Sequence, residues 1–212
     1  MSGYTLYDYF RSSAGYRVRI ALNLKGVACT RVDVSLLEDE QRAPEHLARN
    51  RQGLVPALDI GGGTVLTQSL AILDWLDAAH PEPSLFPADP LDRARAMAQA
   101  LVIVADIHPI DNLRVLRRLE AQFGADADAK ADWYRHWIAE GFDALEATAP
   151  DAGLFGGDPP NVVDCCLVPQ CYNARRFALD MARWPRLAAI DARAAALPAF
   201  AAAHPDAVAP VA

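Results

Sequence analysis

The chain has 212 residues, of which 52% are hydrophobic and 22% charged, enough apolar material for a packed core and too much for a disordered chain. It carries 20 lysines and arginines against 27 aspartates and glutamates, and the net charge of −7 argues against a nucleic-acid partner. No apolar run approaches the roughly 18 residues of a membrane span, and the polar start is unlike a signal peptide. We therefore expect a cytoplasmic protein with neither a membrane nor a nucleic acid as its partner.

Residues 1–80 alternate between strand-like and helix-like segments. The predicted elements are a strand at Tyr4–Asp8, a helix over about 14–25 that ends at Gly26, a strand over 29–34, a short helix between 37 and 48, two strands within 54–66, and a helix that begins at Gln68-Ser69. The last two strands flank three glycines, which is typical of a β-hairpin. This order predicts a small mixed sheet with helices on its faces.

A run of prolines follows this part of the chain and predicts a linker at 81–88. We therefore expect a first domain of class α/β at residues 1–80 and an all-helical domain at 89–212. The predicted helices of the second domain cover 89–123 with a break at Pro109, 126–149, 161–178 and, as shorter alanine-rich helices, 185–204. The predicted apolar stripe of the second of them consists of Trp133, Trp137, Phe142 and Leu145.

The four cysteines, Cys29, Cys165, Cys166 and Cys171, all lie in apolar segments. Two of them are adjacent in sequence and so are poorly placed to pair with each other, and none shows the paired spacing of a zinc site. We therefore expect buried, unreactive thiols and no metal site.

The polar hinge Arg11-Ser12-Ser13 lies between the first predicted strand and the first predicted helix. Unpaired backbone N–H groups and the positive end of the helix dipole point outward at such a turn. They stabilise an anion such as a phosphate, a carboxylate or a thiolate, and the arginine and the two hydroxyls would add donors. The alternative is that the serines only cap the helix, which the local chemistry alone favours.

Three further patterns bear on the fold and on the site. Val55-Pro56 opens a strand, where a cis bond would leave neighbouring backbone groups free for a peptide-like ligand. Gln68-Ser69 precedes a helix, so that Ser69 either binds a carboxylate or serves as a plain N-cap. Asn161 and Asp164 have the form of a capping box, a signal that concerns folding.

Taken together, these patterns resemble the cytosolic glutathione transferases, and within them the zeta class, which includes maleylacetoacetate isomerases and bacterial maleylpyruvate isomerases. The matching segments are residues 9–14, 17–22, 24–27, 52–58, 68–72, 106–109, 167–170 and 173–177, and the resemblance covers essentially the whole chain. It implies a thioredoxin-like N-terminal domain, a C-terminal helical bundle, glutathione as the cofactor and a homodimer.

The resemblance also implies where glutathione would bind. Ser12, with Ser13 as the alternative, would donate a hydrogen bond to the glutathione sulfur. The backbone of Val55 beside a cis Pro56 would hold the cysteinyl part. Gln68 and Ser69 would hold the γ-glutamyl carboxylate, and Gln52 would reach the glycyl end or the backbone.

Asn161 stands where the capping box of the family usually has serine or threonine, a mild change because asparagine caps equally well. Two further positions depart from the family pattern near the expected glutathione site. Ala14 stands where zeta-class sequences usually have a cysteine, so the sulfur would depend on the two serines and the backbone. Arg51 stands where a proline often follows the asparagine, and it would add positive charge near glutathione.

The reaction implied by the resemblance is the cis–trans isomerisation of a maleyl keto acid in aromatic or tyrosine catabolism. A thiolate adds to the double bond, the new single bond rotates, and the thiol is expelled. Arg11 and Arg176 are expected to bind the substrate carboxylates, with His108 assisting at a carbonyl or a carboxylate. His108 shares a predicted helical face with Leu101, Val104 and Ala105 and is otherwise a core histidine. Arg176 is otherwise a surface charge at a helix end.

Two other functions stay open at this point. The same thiolate would serve a glutathione transferase acting on small electrophiles such as α-halo acids, and Ala14 leaves room for a glutathione-binding protein with little catalysis. The sequence does not choose between maleylacetoacetate and maleylpyruvate as the substrate.

Overall fold

The computed structural model describes residues 3–210 of the chain. The chain forms two compact units. One runs up to Leu85 and also includes the chain from Ala196 onward, and the other is Phe86–Ala195.

A four-stranded mixed sheet lies at the centre of the first unit. Its strands are β1 Tyr4–Asp8, β2 Cys29–Asp33, β3 Ala57–Asp59 and β4 Val65–Thr67, in the order β2-β1-β3-β4. β1 is parallel to β2 and antiparallel to β3, which pairs antiparallel with β4, so the predicted mixed sheet and hairpin are confirmed. β3 begins later than predicted because Pro56 has no N–H to give to the ladder.

Within residues 3–85 three helices accompany the sheet: α1 Ser13–Leu24, α2 Pro44–Arg49, which follows a 3₁₀ turn at Glu40–Arg42, and α3 Ser69–Ala79. α1 packs against α3. All of α1 from Ser13 to Leu22 is buried, Arg17 and Arg19 included, so α1 is a core helix. The sequence pattern alone predicts a narrower buried side, formed by Val18, Ala21, Leu22 and Val27.

The second unit is helical. Its elements are α4 Pro90–Leu101, a π-helical turn at Val102–Ile107, α5 Leu113–Phe123, α6 Ala127–Thr148, α7 Val162–Arg176, a 3₁₀ turn at Met181–Arg183 and α8 Pro185–Ala195. α7 supplies the core, since every residue from 162 to 171 is buried. The expectation of buried thiols is therefore confirmed for the three cysteines of α7.

The apolar stripe of α6 differs in part from the predicted one. Phe142 and Leu145 are buried as expected. The other two buried residues are Tyr134 and Ile138, each one residue after a tryptophan that was predicted to be buried. Trp133 is only partly buried, and its indole N–H donates to the carbonyl of Ile110 at 3.0 Å. Because a buried indole N–H needs a hydrogen-bond partner, the tryptophan side chain lies at the edge of the core and not at its centre.

The C-terminal segment, residues 196–210, contains α9 Pro198–Ala201 and α10 Pro205–Val208 and belongs to the first unit. This differs from the predicted division, which assigned the segment to the helical domain. Side chains of the first unit hold its backbone: Asn23 donates to the carbonyl of Ala199 at 2.9 Å, and Arg19 donates to that of Ala203 at 3.0 Å.

The predicted capping box at the start of α7 is confirmed. The side chain of Asn161 accepts from the N–H of Val163, and Asp164 accepts from the N–H of Asn161 at 2.9 Å. Asp164 also accepts from the N–H groups of Phe155 and Gly156, so this carboxylate organises the preceding loop. Across residues 3–210, no helix has the length and apolarity to cross a membrane.

Candidate functional site

Ser12 is the N-cap of α1. Its side-chain oxygen accepts from the N–H of Gly15 at 3.1 Å, and its own N–H donates to the carbonyl of Tyr9 at 2.8 Å. The capping interpretation is therefore confirmed, but it does not exclude the other. A serine hydroxyl that accepts one bond keeps its proton to donate, and Ser12 is partly exposed at the positive end of α1.

The other hinge residues differ in exposure. Ser13 is buried at 6% exposure, and Ala14 beside it is buried at 7%. Arg11 is exposed, with its guanidinium 4.9 Å from the centre of the Phe10 ring. Within residues 3–210 no hydrogen bond or ion pair engages this guanidinium, so its charge is available to an anion.

The peptide bond between Val55 and Pro56 is cis, as predicted. The loop before it is held by Asn50, whose side-chain N–H donates to the carbonyl of Leu54 at 2.8 Å. Asn50 also accepts from the N–H of Gln52 at 3.0 Å. The loop thereby presents the partly exposed Val55 and the exposed Gln52 from a fixed backbone.

Gln52 and Gln68 lie together, since the side-chain N–H of Gln68 donates to the side-chain oxygen of Gln52 at 2.8 Å. Both are exposed. Gln68 has a φ of 67°, in the left-handed region, just before α3 begins at Ser69. Such a backbone is uncommon for a residue other than glycine, and it marks the start of α3 as a specialised turn.

Ser69 is not an N-cap: that position belongs to Gln68, whose side chain makes no capping bond. Ser69 is the first residue of α3, and its hydroxyl accepts from the guanidinium of Arg17 at 3.3 Å. Arg17 is 1% exposed. A buried positive charge therefore lies next to the N-terminus of α3, where both favour a carboxylate.

A buried ionic cluster lies beneath the hinge and was not anticipated from the sequence. Asp8, at 0% exposure, pairs with Arg19 and with Arg31, and Arg31 also reaches Asp33 at 3.1 Å. Burial raises the pKa of Asp8, and the two arginines oppose that rise. The only sequence signal was two arginines within the apolar run of α1.

Arg176 and His108 belong to the second unit. Arg176 is exposed at the end of α7, and its guanidinium donates to the side chain of Asn173 at 3.3 Å. No carboxylate of residues 3–210 pairs with it. α7 packs against the π-helical turn that leads to His108, so the structure brings the two elements together.

The predicted face of His108 is wrong. Leu101 and Ala105, which were to share it, are exposed, and Ile103 and Ile107 are buried instead. The reason is the π-helical turn, in which the N–H of His108 bonds to the carbonyl of Ile103, five residues back, at 2.9 Å. A π turn holds more residues than an α turn, so the 3.6-residue period no longer assigns the faces. His108 itself is partly exposed.

Cys29 corrects the expectation that all four thiols are buried, because it is only partly buried. Desolvation raises the pKa of its thiol to about 11. The thiol is therefore protonated at neutral pH and is a poor nucleophile.

Comparison with known proteins relates these features to characterised chains. The family described as "Glutathione S-transferase, N-terminal domain" matches residues 6–84. The maleylacetoacetate isomerase of Rhizobium meliloti (strain 1021) is 52% identical over 204 residues, 95% of each chain. The holo structure of a bacterial zeta-class maleyl pyruvate isomerase has a TM-score of 0.94 at 45% identity, over 98% of this chain and 100% of that one. The maleylacetoacetate isomerase of Methylobacterium extorquens AM1, solved with bound malonate and GSH, has a TM-score of 0.93 at 37% identity, with the same coverage.

Proposed function

Because this chain belongs to the zeta class of the glutathione S-transferases, which includes the maleylacetoacetate isomerases, we propose that it isomerises a maleyl keto acid from cis to trans with glutathione as its cofactor. The observation that carries the proposal is the state of Ser12. It caps α1 through its oxygen, keeps a hydroxyl proton to donate, and is accessible.

The residues of the first unit fit glutathione in their chemistry. Val55 lies beside the cis bond to Pro56, where backbone groups are available for the cysteinyl part. Gln68 and Ser69 lie at the N-terminus of α3, which suits the γ-glutamyl carboxylate. Gln52 is held against Gln68 and is exposed, which suits the glycyl end.

We assign the sulfur to Ser12 and not to Ser13, because Ser13 is buried within the first turn of α1. Lowering the pKa of a thiol by about two units requires a preference for the thiolate of under about 3 kcal/mol. One hydroxyl donor and a helix N-terminus together are of this size. The cysteine that the family usually has at the position of Ala14 is therefore not required for thiolate formation.

When bound, glutathione supplies the thiolate that adds reversibly to the double bond of the substrate, so that rotation can occur before the thiol leaves. The protein must bind two carboxylates and stabilise the negative charge that develops on the carbonyl oxygen. Arg11 and Arg176 are exposed guanidiniums without carboxylate partners in residues 3–210, and we assign them to the substrate carboxylates. We assign His108 to the carbonyl or to a carboxylate.

The finer setting of this activity is also part of the proposal. Maleylacetoacetate and maleylpyruvate both carry two carboxylates and an activated double bond, and both fit these assignments. Either substrate places the protein in the breakdown of aromatic compounds, with tyrosine as the source of the former. We further propose a cytoplasmic homodimer, as is usual for the family.

The test is to incubate the purified protein with each acid, with and without glutathione, and to follow the enol absorbance. We expect isomerisation that depends on glutathione, a loss of about 100-fold for Ser12→Ala, and a much smaller effect for Ser13→Ala. Arg176→Ala should raise the KM for substrate, whereas Arg193→Ala, at an exposed arginine of α8, should not. If neither acid is isomerised and an α-halo acid is consumed together with glutathione, the protein is a transferase instead.

A further inference from the structure

The guanidinium of Arg19 contacts both the backbone just before the hinge, at Phe10, and the C-terminal segment, at Ala203. One terminal nitrogen pairs with Asp8, the other donates to the carbonyl of Phe10 at 2.9 Å, and Nε donates to the carbonyl of Ala203 at 3.0 Å. Its guanidinium also lies 5.3 Å from the centre of the Tyr16 ring. With 5% exposure, it makes these contacts inside the protein.

The contact with Phe10 bears on the site directly. The carbonyl of Phe10 is in the peptide that enters Arg11, one residue before Ser12. Asp8, the ion-pair partner of Arg19, packs its carboxylate against Gly15, the residue whose N–H binds the Ser12 hydroxyl. Arg19 and its partner therefore hold the turn before Ser12 and the first turn of α1 together.

The contact with Ala203 extends this arrangement to the C-terminal segment. His204, the next residue, packs its ring edge-on against Tyr16 with centroids 6.1 Å apart. Between the segment and the sheet lies a cavity of about 190 Å³, to which Cys29, Ala202 and Val208 contribute. The cavity is already partly open to solvent, and loosening of the segment would widen it and make the thiol of Cys29 more accessible.

We propose that Arg19 is a positioning residue for the isomerase reaction, which fixes the hinge around Ser12 and couples that geometry to the docking of residues 196–210. This inference rests on the proposed function, in which Ser12 stabilises the thiolate. Three separate donors on one rigid plane are needed, which a lysine ammonium on a flexible stem does not provide.

Arg31 is the matched control. It pairs with Asp8 at 3.3 Å and its guanidinium donates to the carbonyl of Val208, so it also joins the ionic cluster to the C-terminal segment. It makes no contact with the hinge among the described residues. Arg31→Lys should therefore loosen the segment without changing the environment of Ser12.

The test compares Arg19→Lys with Arg31→Lys. Thiolate absorbance is titrated against pH in the complex with glutathione, and alkylation of Cys29 is followed as a measure of segment docking, since the other cysteines are buried. For Arg19→Lys we expect the pKa of the bound thiol to rise by about one unit, kcat at pH 7 to fall about tenfold, the KM for glutathione to change less, and Cys29 to react faster. Arg31→Lys should show only the faster alkylation.

An equal effect of both variants on the bound thiol, or none in either, would overturn the inference. A wild-type protein that fails to lower the thiol pKa would instead overturn the proposed function, so the two failures are distinguishable. If the Arg19→Lys variant does not fold, the proposal is tested instead by amide hydrogen exchange of the wild-type protein with and without glutathione. Coupling is reciprocal, so glutathione must slow exchange in residues 199–208 as well as around Ser12, and an unchanged segment would contradict the proposal.

Discussion

Asp8 in the first compact unit and Asp111 in the second are both buried, but they differ in the partners that the chain provides for their charge. Asp8 is 0% exposed and meets two arginines, whereas Asp111 is 4% exposed and neither of its carboxylate oxygens has a hydrogen-bond partner within residues 3–210. Desolvation raises the pKa of Asp111 to about 8, so most of this carboxyl group is neutral at pH 7. Burial also raises the pKa of Asp8, but the arginines oppose it.

The comparison shows that burial alone does not decide the state of a carboxyl group. Asp8 ends the strand that leads into the hinge, and its arginines come from α1 and β2, so the fold delivers positive charge to it from two elements. Asp111 follows the π-helical turn and the break at Pro109, where its backbone N–H donates to the carbonyl of Ile107 at 3.2 Å. One aspartate is part of an ionic cluster, and the other behaves as a buried acid.

Removing the charge of Asp8 should have the largest effect. Asp8→Asn leaves Arg19 and Arg31 with no carboxylate inside the core, and the loss of one partner from a buried pair costs about 3 kcal/mol or more. Urea unfolding at pH 7 measures this loss in the free energy of unfolding. Asp33→Asn, which removes a partly exposed partner of Arg31 alone, should cost about 1 kcal/mol or less. Equal costs for the two variants would show that the cluster is not stabilised through Asp8.

Asp111→Asn should stabilise the protein, whereas Asp8→Asn destabilises it. The folded-state pKa of about 8 lies above the unfolded value near 4, so between these pH values the folded protein holds a proton that the unfolded chain has lost. The free energy of unfolding of the wild type should therefore fall as pH rises from 4 to 8. Asn cannot ionise, so the variant should lack this slope and be more stable than the wild type at pH 8.

Asp106→Asn is the control for this pH series, because Asp106 is exposed on the preceding turn. It should keep the wild-type slope. A slope that survives in Asp111→Asn would mean that another group carries the extra proton.

Local patterns explain how much of this could be predicted from the sequence. The bounds of β1 were predicted correctly because the strand is short and ends at a polar hinge, and the capping box of α7 because Asn161 and Asp164 are close in sequence. The glutathione transferase fold followed from the resemblance of several separate segments, and the comparisons confirm it.

The parts that could not be predicted depend on contacts between distant residues or on a change of helix period. The distances in sequence between Asp8 and Arg31, and between Arg19 and Ala203, leave no local signal for the ionic cluster or for the place of the C-terminal segment. The predicted helical face of His108 was wrong because no pattern in the sequence indicated the π-helical turn. Candidate site residues could be predicted where they belong to a recognisable sequence motif. The residues that hold them in place, such as Arg19, could not be predicted.

The smallest expected effect on stability is that of Gly15→Ala, which tests how rigidly the side chain of Asp8 is held. A Cβ on Gly15 would lie 2.6 Å from a carboxylate oxygen of Asp8, closer than a normal contact. An alanine within a helix is usually more stable than a glycine by about 0.5–1 kcal/mol, so a Gly15→Ala variant that is less stable than the wild type must owe its loss to this contact. We expect a net loss of about 1 kcal/mol, measured by thermal unfolding at pH 7.

A double-mutant cycle decides whether the contact with Asp8 causes this loss of stability. In an Asp8→Ala background the carboxylate is gone and only the Cβ of residue 8, at 3.0 Å, stays close, so Gly15→Ala should cost less than in the wild type, with a coupling of about 1 kcal/mol between the two sites. If the carboxylate could rotate away, Gly15→Ala would already be tolerated in the wild type. The difference between the two aspartates would then lie in charge alone, and the packing of Asp8 against α1 would not contribute to the hinge geometry.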